Sequence, residues 1–524
     1  MFSFRKKKIE TIRSNWAKPI DKFRNFDLIS LFHKNISTKL DESELVDNKT
    51  WSDLNLDDIF SILDRNTSPI GQQYLYHLLH KYEKNSDKLT KRFKLIEYFK
   101  NNSELRELLQ LEFARLDETS SYFIAPLIYG KLPSRPKYYF LFFALSYLAI
   151  TSLLLIFING SFLFLALVVF LTNLIINYFF SKKIHQYFAG FSSLNLLFIT
   201  ANKINKIQNN NISELEYLRN KTSLIKNLNK KVGSLVIDKA SMNDMLSGLV
   251  AYLDIYFLYD LRKYSTSIGI LIKYQKEIQQ IFENVGQLDV AISIASYLSN
   301  QTNYCNPKFS SVNSISFTDV YHPLIPDAKS NNLDELDKSA LITGSNMAGK
   351  TTFIKTVGVN FILAQAFNFC LSKSATIPKL IVKSAINRSD DLESNKSYFL
   401  VEVEELQNFI KLSKSNSKYL FLIDEIFRGT NTVERLASST AVLDFLNKNN
   451  FVFVTTHDIE LQELLNHKYE MFHFSEQVED KNFYYDYKIQ EGPTSSGNAI
   501  RLLEIKGYPE DITTKAKDLA KKFV

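Results

Sequence analysis

Between Tyr138 and Phe180 the chain contains no Asp, Glu, Lys, Arg or His. One membrane-crossing helix needs ~20 apolar residues, so the stretch is long enough for two. Near its middle, Asn159-Gly160-Ser161 is a turn signal. The pattern predicts one helix over roughly residues 138–158 and a second over roughly 161–180, with a very short connection. Lys131, Arg135 and Lys137 precede the stretch, and Lys182 and Lys183 follow it. Positive flanks at both ends place both ends in the cytoplasm. Tyr138, Tyr139 and Tyr178 stand where interfacial aromatic anchors belong. The competing reading is a helical hairpin buried in a soluble core, but core helices seldom run so far without a charge. No ionisable residue interrupts the spans, so an ion or proton path has no support and the hairpin reads as an anchor.

The chain as a whole is globular in composition, with 45% hydrophobic and 23% charged residues among 524. The net charge is +7, and much of the excess lies at the start. There Arg5, Lys6, Lys7, Lys8, Arg13, Lys18, Lys22 and Arg24 face only Glu10 and Asp21. Such a segment is either a contact for nucleic acid or anionic lipid, or a solvated tail. It is no signal peptide, because no apolar core follows the charges. Cys305 and Cys370 are the only cysteines and neither belongs to a metal-ligand cluster, which argues against a disulfide framework and a structural zinc site.

Five segments follow: a basic start without a strong element (1–45), a helical region (46–137), the hairpin (138–180), a second helical region (181–305) and an α/β region (306–524). Residues 183–300 contain no proline and carry apolar stripes such as Leu249, Leu253, Tyr256 and Leu258, or Ile281, Val285 and Leu288. From about residue 310, short apolar runs alternate with helical stretches. The runs 340–343, 419–423 and 451–455 fit buried parallel strands. Those near 470–475 and 483–489 look like an added antiparallel pair.

Gly344-Ser345-Asn346-Met347-Ala348-Gly349-Lys350-Thr351 has the spacing of a P-loop, between a strand and a helix that begins with Thr352. Glycines let backbone N–H groups turn toward phosphate oxygens, and the helix N-terminus adds positive potential. Lys350 is then placed for the β- and γ-phosphates and the Thr351 hydroxyl for Mg²⁺, which makes ATP and Mg²⁺ the expected ligands. A second strand ends in Asp424-Glu425. Asp424 is the candidate Mg²⁺ residue and Glu425 the candidate group that orients or activates water. His457 follows a third strand and is placed to sense the γ-phosphate, or else is structural.

Several segments resemble the MutS family of DNA mismatch repair ATPases. The Asn346-Met347 pair inside the P-loop is similar to the family's version, with Ala348 and Thr351 where the family usually has Gly and Ser. Residues 424–432, Asp-Glu-Ile-Phe-Arg-Gly-Thr-Asn-Thr, resemble the run from Walker B into the dimer-facing loop. Residues 390–397 with Phe399 to Glu402 resemble the signature segment. Thr455-Thr456-His457 resembles the switch histidine, and 508–516 the final helix. Weaker likenesses lie upstream at His322-Pro323, at Gly286-Gln287-Leu288-Asp289 and at 64–71.

The resemblance implies a MutS-type P-loop ATPase domain, related to that of ATP-binding cassettes, joined to an all-α core and lever domain that the hairpin interrupts. It implies a homodimer through the ATPase domains, in which Ser394 approaches the partner's ATP, and it implies DNA as a partner. Too little chain precedes the core for the family's mismatch-reading and connector domains. Phe474-Ser475-Glu476 matches the reader's Phe-x-Glu pattern, but inside the ATPase region, as coincidence. Three functions therefore stand: a membrane-tethered DNA-binding ATPase, a cassette transporter, or a membrane motor acting on a partner other than DNA. The transporter reading requires a Leu-Ser-Gly-Gly-Gln-like signature and more spans, and the sequence has neither. A lysine set (203, 206, 221, 226, 230 and 231) is either a DNA-contacting surface or a solvated helix face.

Overall fold

The computed structural model describes residues 2–132, 134–207, 212–233, 244–310, 313–345, 348–386, 398–427, 429–479, 482–494 and 499–523. The chain divides into two compact units. One contains residues 1–39, 63–77 and 95–299; the other contains 40–62, 78–94 and 300–524. The helical region before the hairpin thus supplies segments to both.

The first unit is helical among its described residues. The basic start forms a helix, Phe2–Asn15, where no strong element was expected. Its side chains act partly inside the unit. Arg13 makes a two-pronged pair with Glu107 at 2.9–3.0 Å. Lys22 and Arg24 both reach the fully buried Asp64, at 3.1 and 3.0 Å. Much of the positive charge near residue 20 therefore neutralises a buried carboxylate rather than facing a ligand.

Two segments that resembled family motifs prove to be partners. Asp289, on the long helix Tyr259–Leu298, accepts hydrogen bonds from the Thr67 amide at 3.0 Å, the Ser68 amide at 2.8 Å and the Ser68 hydroxyl at 2.6 Å. These donors lie at the start of the helix Pro69–Leu79, where backbone amides lack intrahelical acceptors. Gly71 is required because a Cβ there would lie 2.3 Å from the Asp289 carboxylate. Beside this contact, the Arg65 guanidinium donates to the Ser296 carbonyl at 2.6 Å, and Ser293 bonds both the Leu63 carbonyl and the Arg65 amide.

The hairpin helices run Tyr139–Ile156 and Leu163–Ile204. The second is 42 residues long and extends well past the expected end near 180. The apolar run stops at Phe180, but no proline follows to end the helix. Phe140, Tyr147, Leu154, Phe164, Leu167 and Tyr178 are each more than half exposed. The polar residues Ser146, Ser152 and Asn173 are buried instead.

The second unit is an α/β assembly of ten strands among the described residues. These are β1 (Lys308–Phe309), β2 (Ile315–Val320), β3 (Asn331–Leu336), β4 (Ser339–Thr343), β5 (Ser374–Ile377), β6 (Ile381–Ala385), β7 (Tyr419–Asp424), β8 (Phe451–Thr455), β9 (Tyr469–Glu479) and β10 (Asn482–Glu491). The main sheet has the order β10-β9-β4-β8-β7-β6. Its strands are parallel except for β10, which pairs antiparallel with β9. The smaller sheet has the order β1-β5-β2-β3. β4 and β8 are buried at every residue and β7 at all but its last, as their unbroken apolar runs required. Cys305 and Cys370 face each other across an isolated bridge as free thiols.

β6 is an edge strand, and residues from 40–62 and 78–94 cover it. The Thr50 hydroxyl accepts the Ser384 amide at 3.2 Å, and Asp53 accepts the Ile386 amide at 3.0 Å and the Ser384 hydroxyl at 2.8 Å. The Tyr82 hydroxyl donates to the Val382 carbonyl and accepts the Val382 amide. Side chains thereby complete a ladder that no further strand extends among the described residues.

Replacing Asp289 strands two buried donors of Ser68 and the part-buried Thr67 amide. Asp289→Ala is expected to destabilise the helical unit by about 3 kcal/mol, whereas Ser299→Ala nearby stays within about 0.5 kcal/mol. Denaturant midpoints followed by helical circular dichroism would measure both.

Candidate functional site

The strands β4, β8 and β7 lie side by side and parallel, so their carboxyl ends meet at one edge of the sheet. Register pairs Ile342 with Thr455 and Asp424 with Thr455. Crevices at such ends are where open α/β sheets bind ligands. The chain leaves β4 through the P-loop, β7 through Asp424-Glu425 and β8 through Thr456-His457-Asp458. Gly344, Ser345, Ala348, Gly349, Lys350, Thr351, Thr352, Asp424, Glu425 and His457 therefore gather here. Asn346, Met347 and Ser394 lie outside the described residues.

The P-loop turns sharply. Gly344 has φ +135° and its Cβ position lies 2.7 Å from the Phe474 carbonyl oxygen, so no larger residue fits. Gly349, at φ +103°, opens the helix Lys350–Phe367. That helix is buried almost all round, which explains its nearly continuous apolar sequence. Lys350 is buried, and its ammonium donates to the Gly344 carbonyl at 2.5 Å and the Ser345 carbonyl at 2.8 Å. The cation is thus folded onto its own loop, at the concave face where phosphate oxygens would replace the carbonyls.

Asp424 is tied to the start of the P-loop helix and to the end of the neighbouring strand β8. The Thr351 hydroxyl lies 3.1 and 3.0 Å from its two oxygens. The Thr455 hydroxyl also donates to it. A hydroxyl and a carboxylate side by side form a hard oxygen donor set, the kind Mg²⁺ takes. Next along the chain, Glu425 is buried and at φ +57°, and Phe427 shares that left-handed conformation. Such backbone is held only where neighbours over-determine it. Here the Glu425 amide donates to the Thr455 carbonyl at 3.0 Å, and the Phe427 amide donates to the buried Glu402 carboxylate. The Glu425 carboxylate stands 2.9 Å from His457 Nε2, which lies 3.5 Å from the Lys350 ammonium. Lys350, His457 and Glu425 thus form a continuous polar line across the mouth.

Supporting residues carried little sequence signal. Arg435 grips Asp458 with two hydrogen bonds of 2.8 and 2.7 Å, which braces the turn after His457. Gln462 donates to the Thr343 hydroxyl at 2.8 Å, steadying the start of the P-loop. Tyr487 is less predictable still. The β9–β10 register slips between Tyr485 and Ile489, and Tyr487 sits in the slip at φ +55°. Asn331 holds both flanks there, donating to the Tyr487 carbonyl at 3.1 Å and accepting the Ile489 amide at 2.8 Å. The half-exposed ring comes 3.3 Å from the Cβ position of Gly349. An aromatic ring thus flanks the P-loop.

Comparison with known proteins points the same way. Residues 340–524 match the family model of MutS domain V. The DNA mismatch repair protein MutS of Clostridium tetani is 32% identical over 277 residues, covering 49% of this chain and 31% of that protein. The DNA mismatch repair protein MutS of Methanosarcina mazei is 31% identical over 268 residues, covering 48% and 29%. That of Acetivibrio thermocellus is 28% identical over 279 residues, covering 50% and 32%. The matched part therefore spans about a third of the length of each of these relatives.

Just upstream of residues 340–524, His322 is buried, and its Nδ1 accepts the Leu324 amide at 3.3 Å. Burial, with a smaller push from the positive Lys355, lowers its pKa to about 4. A histidine depressed below its unfolded value near 6.5 stays neutral in the fold and takes up a proton on unfolding. The α/β unit is therefore expected to lose stability as pH falls from about 6.5 toward 4, with no cost from this group above 6.5. Thermal melts across that range would show the slope, and His322→Gln should flatten it.

Proposed function

The chain belongs to the MutS family through its C-terminal ATPase domain, and on that premise we propose that it hydrolyses ATP to drive a DNA-binding cycle while tethered to a membrane. The observation that carries the ATPase reading is the junction of Thr351, Asp424 and Thr455 beside the folded-back Lys350. In this reading Thr351 and Asp424 hold Mg²⁺, which would neutralise charge on the β- and γ-phosphates when bound. The amides of residues 344–352 cradle the phosphates, and Lys350 exchanges its carbonyl partners for phosphate oxygens. Glu425 accepts a proton from, or orients, the attacking water. His457, bridging Glu425 and Lys350, reports whether a γ-phosphate is present. Tyr487 stacks on the nucleobase, as aromatic rings do with any base.

The dimeric and DNA-binding parts of the proposal rest on kinship. Two copies pair through their ATPase domains, and Ser394 of each approaches the nucleotide of the other. Mismatch repair is the activity named for the relatives, whose matched part is about a third of their length. In this chain the lysine-bearing helix Thr222–Gly233 offers a phosphate-contacting face. Ile225, Leu228 and Val232 are buried while Lys226, Lys230 and Lys231 are exposed. The same pattern suits a motor that acts on branched DNA or on a partner other than DNA.

The tether rests on the hairpin. Its two apolar spans are only 22% and 17% buried, whereas the core helix of a soluble protein is mostly covered. Large apolar side chains point outward while Ser146, Ser152 and Asn173 are buried, an arrangement that a hydrocarbon solvent favours. With positive residues at both ends, the soluble parts face the cytoplasm.

Steady-state hydrolysis and nucleotide titration test the site. Lys350→Ala should lose nucleotide binding. Glu425→Gln should keep binding and lose about 10²- to 10⁴-fold in turnover. Tyr487→Ala should weaken ATP binding by about 10- to 100-fold with turnover at saturation retained. DNA is tested with full-length protein in detergent, on paired, mismatched and branched duplexes with and without ATP. Nucleotide-sensitive binding that falls steeply with salt and is absent in Lys350→Ala is the expected result. No duplex binding at low salt, with hydrolysis intact, would overturn the DNA reading and favour the other partner.

A further inference from the structure

We propose that the turn between the helices Asp244–Tyr256 and Tyr259–Leu298 dips into the membrane beside the hairpin as a re-entrant element, its outer face against lipid acyl chains. The inference rests on the membrane reading of the hairpin and goes beyond it, because neither of these helices is both long and apolar enough to cross a membrane.

Depth is read from contacts to both spans. The Tyr256 hydroxyl lies 3.0 Å from the Ser152 hydroxyl. Its backbone carbonyl accepts the Asn173 side-chain amide at 2.6 Å, and its ring stacks on Phe170 at 6.0 Å between centroids. Along a helix rising 1.5 Å per residue, Ser152 is ~20 Å from the Tyr139 end of the first span, and Asn173 is ~10 Å from the Phe180 end of the second. A hydrocarbon core is ~30 Å thick, so Tyr256 lies near its middle when the hairpin spans it. Lower down, the Arg262 guanidinium donates to the Ser146 hydroxyl and lies 5.2 Å from the centre of the Phe143 ring. Lower still, the Cβ position of Gly269 meets Arg135, just before the hairpin begins. Gly269, Arg262 and Tyr256 thus climb alongside Arg135, Ser146 and Ser152.

The chemistry of the turn suits that depth. Asp260, Arg262 and Lys263 are partly covered. Asp254 is buried, at 6% exposed, and the three buried polar residues of the uncharged stretch 138–180 all meet this element: Ser152 and Asn173 at Tyr256, Ser146 at Arg262. Leu258, which breaks the helix at φ +46°, is fully buried, so the non-helical backbone is covered by protein. Irregular backbone at membrane depth is tolerated only under such cover. The outer face is apolar, with Tyr252 64% and Leu253 55% exposed. In water these two would lie bare beside a hairpin that is itself bare. In a bilayer both belong to one continuous lipid-facing surface.

Single cysteines test the proposal in the full-length chain with Cys305→Ser and Cys370→Ala, in sealed inside-out vesicles exposed to a membrane-impermeant maleimide. Lys226→Cys, on the exposed cytoplasmic helix, should label. Leu154→Cys and Leu167→Cys, in the spans, should not. The proposal requires Tyr252→Cys and Leu253→Cys to share that loss of labelling, although the protein itself leaves both sites uncovered. It also requires both to be quenched, as attached fluorophores, by lipids brominated midway along the chain. Labelling at 252 and 253 as at 226, with 154 and 167 still protected, would overturn the re-entrant element and leave the hairpin standing. Labelling at 154 and 167 as well would overturn both.

Discussion

Asp424 accepts hydroxyl hydrogen bonds from two other parts of the chain, Thr351 on the helix after the P-loop and Thr455 at the close of β8, and the site depends on that junction. A carboxylate at the tip of a buried strand carries a desolvation cost that only such donors offset. The junction also fixes the positions of its neighbours. Glu425 is turned into left-handed backbone directly after Asp424, and its amide is held by the Thr455 carbonyl. Its carboxylate is thereby presented to His457 rather than to the sheet. Thr351 and Asp424 are 73 residues apart along the chain and Lys350 and His457 107, yet they meet in one volume of space.

The same economy appears where the units are built from scattered segments. β6 would be a bare edge without Thr50, Asp53 and Tyr82, which come from nearly 300 residues or more before it. In the helical unit, Asp289 serves the start of a helix more than 220 residues upstream. In both places buried backbone donors meet side-chain acceptors, because the local backbone has no partner to offer. The likeness of residues 64–71 and 286–289 to family motifs thus has a structural origin: one segment supplies the donors and the other the carboxylate.

Much of the α/β unit was legible because its signals are local. Unbroken apolar runs located β4, β7 and β8 to within a residue, and turn chemistry with a following helix located the P-loop. The antiparallel pair was legible from its two β-rich runs. Other features were not. Nothing in the basic start announced that Lys22 and Arg24 pair with Asp64, since the carboxylate lies some 40 residues away. The second hairpin helix outran its expected end because hydropathy marks where apolar residues stop, not where hydrogen bonding stops. Tyr487 was invisible because its place beside Gly349 follows from a register slip, which has no sequence signature here.

The sequence by itself determined the chemistry present: a loop with P-loop spacing, an acidic strand end, a histidine after a third strand and 43 residues without a charge. Residue type, spacing and period are properties of the chain, and they suffice to specify which groups exist and which local element carries each. Only the tertiary structure decided which groups meet. It joined Thr455 to Asp424, set Glu425 against His457, placed Tyr487 at the P-loop and laid the Tyr256 turn against the hairpin. Those contacts are set by strand order, register and the burial of one element by another, and each depends on parts of the chain too far apart for any local pattern to record.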